Sequence, residues 1–128
     1  MSERKDADLV ADISDAARRI GEYIRGMAFE EFARDTKTQD AVVRNIEIVG
    51  EAVKLLSAGF KRNHPDVPWK QMAGMRDVII HRYFGVALDI VWRVATKDLP
   101  EAVARLQKAK AEEAGRRSRE TGSRSHTQ

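Results

Sequence analysis

Apolar side chains recur along the first part of the chain at the steps of a helix. Leu9, Ile13, Ala16, Ile20, Tyr23 and Met27 alternate spacings of four and three, which places them on one stripe of a helical surface. Asp6, Asp8, Asp12, Ser14 and Asp15 gather toward its start, where the helix dipole favours negative charge, and Gly26 loosens its end. A short helical piece is expected around residues 29–32. Val42, Ile46, Val49, Val53, Leu56 and Phe60 repeat the alternation and predict a second long helix, with Thr38 or Asp40 as its cap. The run Asn63-His64-Pro65-Asp66-Val67-Pro68 reads as a loop, because its two prolines lack backbone donors and disfavour helix on their N-terminal side.

Trp69–Tyr83 holds no breaker except Gly74 and sets Met72, Met75, Val78 and Ile79 on one side, which predicts a third helix that Gly85 interrupts. Helical spacing resumes over residues 88–95. Asp98-Leu99-Pro100-Glu101 then reads as a fresh start, with Asp98 as N-cap and Pro100 tolerated in the first turn. Ala102, Val103 and Leu106 face the core of this fourth helix. No segment combines strand alternation with hairpin turns, and no internal repeat is found. The expectation is an all-α fold: an up-and-down bundle of four to five helices, whose short connections favour antiparallel neighbours.

Composition narrows the function classes. At 128 residues, 42% hydrophobic and 34% charged, the chain suits one soluble helical domain. It contains no apolar run of about 18 residues and no apolar signal core at its start, so a cytoplasmic location is expected. With no cysteine there is no disulfide framework, no thiolate nucleophile and no Cys-based metal site. The formal charge of +3 is unevenly placed. From Ala114 onward there are four arginines against one glutamate, which leaves 19 basic and 19 acidic side chains in residues 1–113. The folded domain is therefore expected over 1–113, with 114–128 a disordered basic tail lacking any large apolar anchor. A neutral body argues against broad binding to duplex DNA, so any RNA contact is a local site.

Chemistry concentrates in Arg76-Asp77-Val78-Ile79-Ile80-His81-Arg82-Tyr83. A histidine takes or gives a proton near neutral pH, and an arginine holds phosphate oxygens in its planar fork while staying charged. Together they suit cofactor-free RNA cleavage, in which a base activates the ribose 2′-hydroxyl and a cation stabilises charge on the phosphate. Asp77 and His81 are four apart, where the carboxylate can orient the ring. Arg76 and His81 are five apart, about 140° around a helix of about 3.6 residues per turn. Their convergence needs a helix distortion, the reach of the arginine, or a second copy of the chain, and the second copy is favoured. The bland alternative is a packed or solvated histidine beside an ordinary ion pair.

Other candidates are weaker. His64 and His126 show no metal-ligand spacing with His81, so no metal site is expected. The glycines Gly21, Gly26, Gly50 and Gly59 form no phosphate-binding loop. Glu47 and Glu51 share a face of the second helix, most simply as a solvated edge paired with Arg44 or Lys54. Trp69 and Trp92 read as core, with a shared groove as the alternative.

The segment Arg76 to Tyr83 resembles the HEPN motif, an Arg, a polar residue, three variable positions and a His, in the HepT-like form with a Tyr two residues after the His. Its flanks agree: Asn45-Ile46-Glu47-Ile48-Val49-Gly50-Glu51-Ala52, Pro68-Trp69, and the stretch 85–92 are also similar to this family. The resemblance spans roughly residues 9–110 in order. It implies a homodimeric helical bundle in which two motif helices meet in a cleft. It further implies a metal-independent RNA endonuclease, the toxin of a type VII toxin-antitoxin pair, with Arg76 and His81 catalytic and Asp77 supporting. The implied partner is an MntA-like nucleotidyltransferase antitoxin that transfers AMP to Tyr83, where the bulky anion would fill the cleft and repel RNA phosphate. Two alternatives stay open at this point: a non-catalytic nucleotide- or RNA-binding subunit of a nucleotidyltransferase complex, and a structural partner-binding bundle.

Overall fold

A computed structural model describes the backbone of residues 5–83 and 87–126, and the side chains of 5–77, 87–116, 118 and 119. The described chain is helical throughout: α1 (Asp6–Tyr23), α2 (Phe29–Arg34), α3 (Thr36–Leu55), α4 (Ala58–Asn63), α5 (Trp69–Tyr83), α6 (Leu88–Arg93), a π turn (Val94–Asp98) and α7 (Leu99–His126). No strand occurs among the described residues. The fold is an all-α helical bundle, with four long helices carrying three short ones and the π turn.

The core follows the two stripes. Leu9, Val10, Ile13, Ala16 and Ile20 of α1 are buried against Val42, Ile46, Val49, Ala52 and Val53 of α3, the largest helix-helix contact among the described residues. Removing such side chains from water at about 25 cal/mol per Å2 is the main force holding the helices together. The stripe of α1 ends earlier than its spacing suggests. Tyr23 is 40% exposed because the chain leaves the helix there and turns through Gly26, whose φ of 76° an L side chain rarely adopts.

Helix boundaries differ from the periodicity in two places, and a side chain causes each. Asp35, one turn before the expected cap, accepts from the Thr38 backbone N–H at 3.0 Å and from its hydroxyl at 2.7 Å, so α3 starts early. Those bonds, the backbone one foremost, hold the Asp35 carboxyl below the usual carboxylate range. At the other end, the expected second helix splits at Leu56. Ser57 caps α4 by accepting from the Phe60 N–H, while its own N–H and hydroxyl donate to Asp6. That tie, spanning 51 residues of sequence, sets the start of α1 beside the end of α3, so these two run antiparallel.

The expected fresh start at Asp98 is replaced by continuity. The Leu99 N–H reaches back to the Val94 carbonyl across the π turn, so α6 passes into α7 without a break. A proline inside an α-helix lacks a donor and collides with the carbonyl four residues back; the wider turn just before Pro100 accommodates it. Helix α7 also continues through His126, past residue 113 where the folded domain is expected to end. Among its described side chains the last buried core residue is Leu106, with Ala109 partly buried behind it.

His64 and the tryptophans complete the frame. The Trp69 indole N–H donates to the His64 and Lys61 carbonyls, at 3.0 and 3.2 Å, which closes the proline loop onto the start of α5. His64 is only 5% exposed, lies against the Phe60 ring, and donates from Nε2 to the Glu113 carboxylate at 3.0 Å. Trp92 packs elsewhere, against Phe29 and Phe32 of α2. The two tryptophans therefore brace different corners of the bundle, Trp69 against Phe60 and Trp92 against Phe29 and Phe32.

Candidate active site on the α3 and α5 helices

The third-helix prediction and α5 coincide, so Arg76, Asp77, His81 and Tyr83 all lie on one helix. Arg76 is positioned by a close crossing. A Cβ built on Gly50 of α3 would stand 2.8 Å from the Arg76 Cβ and 3.5 Å from the Ala73 carbonyl oxygen. Only a residue without a side chain lets α5 approach α3 this closely. Substituting Gly50 with alanine is therefore expected to push the helices apart and cost about 1–2 kcal/mol net, overpacking outweighing the helix propensity gained. Gly21, with nothing within 4 Å of its added Cβ, is the control. Gly21→Ala should instead stabilise by about 0.5–1 kcal/mol; urea unfolding of both variants checks the opposite signs.

Across the crossing, Arg76 Nη1 lies 3.2 Å from Glu51 Oε2, with the Arg76 side chain about one-third exposed. Asp77 Oδ1 faces Lys54 Nζ at 3.9 Å on a more open surface. This corrects the simpler pairing expected for Glu51: its described partner is Arg76, and Lys54 serves Asp77. The arginine edges a groove of about 240 Å3 between α1 and α3, lined also by Asp12, Arg44, Glu47, Ile48, Glu51 and Leu55. Leu55 is 62% exposed there, the most open large apolar side chain among the described residues. A guanidinium held by one solvated carboxylate keeps donors free for a second anion, since its fork carries five N–H groups.

The side chains of His81 and Tyr83 lie outside the described residues, and so does Gly85. Their backbone positions are informative nonetheless. Helix α5 is a regular α-helix from Trp69 to Tyr83. On such a helix the backbone positions of residues 76 and 83 are nearly in register, whereas those of 76 and 81 are about 140° apart around the axis. Among the described residues, no group of three or more His, Asp or Glu side chains is arranged to hold a metal ion. No described helix is long and apolar enough to cross a membrane.

The family model for ribonuclease HepT-like proteins matches residues 13–109, which contain this crossing whole. The chain belongs to the HepT-like ribonuclease family. Among curated relatives, a probable ribonuclease HepT from Thermococcus cleftensis is 44% identical over 105 residues, covering 82% of this chain and 96% of the relative. A protein named as an RNase in Methanocaldococcus jannaschii is 41% identical over 96 residues, 75% of this chain and 79% of that one. Another, from Caldanaerobacter subterraneus, is 49% identical over 80 residues, 62% of this chain and 71% of that one. No solved structure matches significantly. Within this HepT-like chain, the crossing at Gly50 and the pairing of Glu51 with Arg76 are what helical spacing did not disclose. The available signal was a glycine interrupting an otherwise apolar and charged helix, next to the glutamate that meets Arg76.

Proposed function

We propose that this protein is a metal-independent RNA endonuclease, with Arg76 holding the scissile phosphate and His81 handling the proton. The observation that carries the reading is the Arg76 guanidinium at the edge of an open groove, fixed from behind by the Gly50 crossing and balanced by Glu51. In the reaction, the 2′-oxygen loses its proton to His81 and bonds to phosphorus as the bond to the 5′-oxygen breaks. The departing oxygen takes a proton, leaving a 2′,3′-cyclic phosphate and a 5′-hydroxyl. Arg76 stabilises the charge that builds on the non-bridging oxygens.

The regular geometry of α5 supports a homodimeric site, because one copy of the helix turns Arg76 and His81 to different faces. Two motif helices meeting in a cleft bring the arginine of one copy to the histidine of the other. Leu55, exposed beside Arg76, is apolar surface that such a partner would cover. Asp77 supports the site by orienting His81 from one turn away. The same arrangement gives Tyr83 a regulatory role: a nucleotidyltransferase antitoxin joins its phenolic oxygen to the α-phosphate of ATP, releasing pyrophosphate. The resulting anion, aligned with Arg76, competes with RNA and silences the toxin.

The test is expression of the wild type, His81→Ala and Tyr83→Phe without the partner, following growth and RNA integrity, with circular dichroism confirming each fold. Wild type and Tyr83→Phe should arrest growth and leave 2′,3′-cyclic phosphate ends, while His81→Ala does neither. Co-expression of the nucleotidyltransferase should rescue wild type but not Tyr83→Phe. Growth with intact RNA in the wild type would overturn the ribonuclease reading.

A further inference from the structure

The distal part of α7 lacks the apolar positions by which its first half packs. Along the face that carries Leu99, Ala102, Leu106 and Ala109 into the core, the next register positions are Glu113, Arg117, Glu120 and Arg124. Glu113 ties the helix to the body through His64 Nε2, and Ala114 lines a shallow groove beside Phe60. Beyond that point the helix runs on to His126, a projection of about 18 Å at about 1.5 Å per residue. The family match ends at residue 109, so this projection is additional to the segment that defines the fold.

Its charge is as distinctive as its length. Residues 1–113 are neutral, and the described cations of the body repeatedly face carboxylates: Arg18 and Arg19 on Asp15, Lys54 on Asp77, Arg76 on Glu51. The excess sits on Arg116, Arg117, Arg119 and Arg124 against Glu120 alone. Arg105, Lys108, Arg116 and Arg119 are all exposed, and steps of three and four place them with Glu112 on one outer stripe. A basic stripe on an extended helix, attached to a neutral domain, matches a polyanion longer than the groove at Arg76.

We propose that α7 beyond residue 113 is an RNA-capture arm, which holds the phosphate backbone of the substrate outside the cleft and raises its local concentration at the site. This rests on the ribonuclease reading above. Its contribution is to binding and not to bond cleavage, and it does not depend on base identity. Arginine suits the role because its fork grips phosphate oxygens without any requirement for a folded pocket.

The experiment compares the full-length protein with a quadruple variant, Arg116, Arg117, Arg119 and Arg124 each replaced by Gln. Binding of a fluorescently labelled oligouridylate is followed by anisotropy across a salt series, and cleavage is followed separately on a dinucleotide and on long RNA. With about 0.7 of log-log salt slope for each single-strand phosphate contact, the variant should lose about 2–3 units of slope and about tenfold or more in affinity. KM for long RNA should rise while turnover of the dinucleotide holds. Equal affinity and equal slope in the two proteins would overturn the arm, as would a loss confined to binding of polyglutamate, which would mark a protein-docking surface. A wild type that binds oligouridylate through these arginines yet cuts no RNA would instead sink the ribonuclease reading and leave the arm standing.

Discussion

Replacing Arg76 by alanine is expected to lower kcat/KM for RNA by about 10²–10³, the usual cost of removing one donor aimed at transition-state charge. Two effects act in the same direction. The phosphate loses its cation, and Glu51, 3.2 Å from the guanidinium in the wild type, is left facing the groove as an uncompensated anion. The fold should survive, because a partly exposed ion pair contributes only about 0–1 kcal/mol to stability. Arg76→Lys keeps the charge but not the planar fork, and should fall between the two. Initial-rate kinetics on a labelled RNA, with thermal melts of each variant, separate chemistry from folding. Cleavage by Arg76→Ala at the wild-type rate would remove the arginine from the mechanism and leave it a structural element of the helix crossing.

The largest effect on stability is expected at Phe32. This side chain is fully buried, and its ring centroid lies 5.1 Å from that of Trp92. Its carbonyl accepts from the Gln39 side-chain amide at 2.8 Å, which lets the 7% exposed Gln39 sit inside the bundle without an unsatisfied donor. Phe32→Ala keeps that carbonyl but opens a cavity beneath the indole, at a cost of about 3–5 kcal/mol. Against a total stability of about 5–15 kcal/mol for a domain of this kind, that is a large fraction. Urea unfolding followed by tryptophan fluorescence should show a lowered midpoint at an unchanged slope. A loss below about 1 kcal/mol would mean that α2 and α6 close over the gap, since the cost of a cavity depends on how far its walls relax.

Much of this architecture was legible from spacing. The apolar stripes of α1 and α3 follow from alternating steps of three and four, because a helix that buries one face must repeat in that way, and α5 follows from a run without breakers except Gly74 that sets its apolar residues on one side. What spacing did not reveal was tertiary. Ser57 divides an otherwise continuous apolar stripe because its donors reach Asp6, far away in sequence. Glu51 pairs with Arg76 and not with a neighbour on its own helix, because Gly50 brings a second helix within reach. At the site, the motif identified Arg76 and its helix, whereas the carboxylate behind it became visible only once the two helices were crossed. The histidine of the proline loop likewise had no periodic signal, and its burial depends on Glu113 from the last helix.

The π turn at Val94–Asp98 also sets the phase of everything that follows it. A helix behaves as a screw, and one residue more or less in a single turn rotates the remainder by about 100° at about 3.6 residues per turn. Leu99, Ala102 and Leu106 meet the core only because the wide turn has already absorbed that offset. The same offset aims the outer basic stripe. Losing one residue between Val94 and Asp98 would leave a smoother rod with its apolar teeth out of mesh and its arginines turned to another quarter of the compass, so the irregular turn is what keeps core and arm in gear.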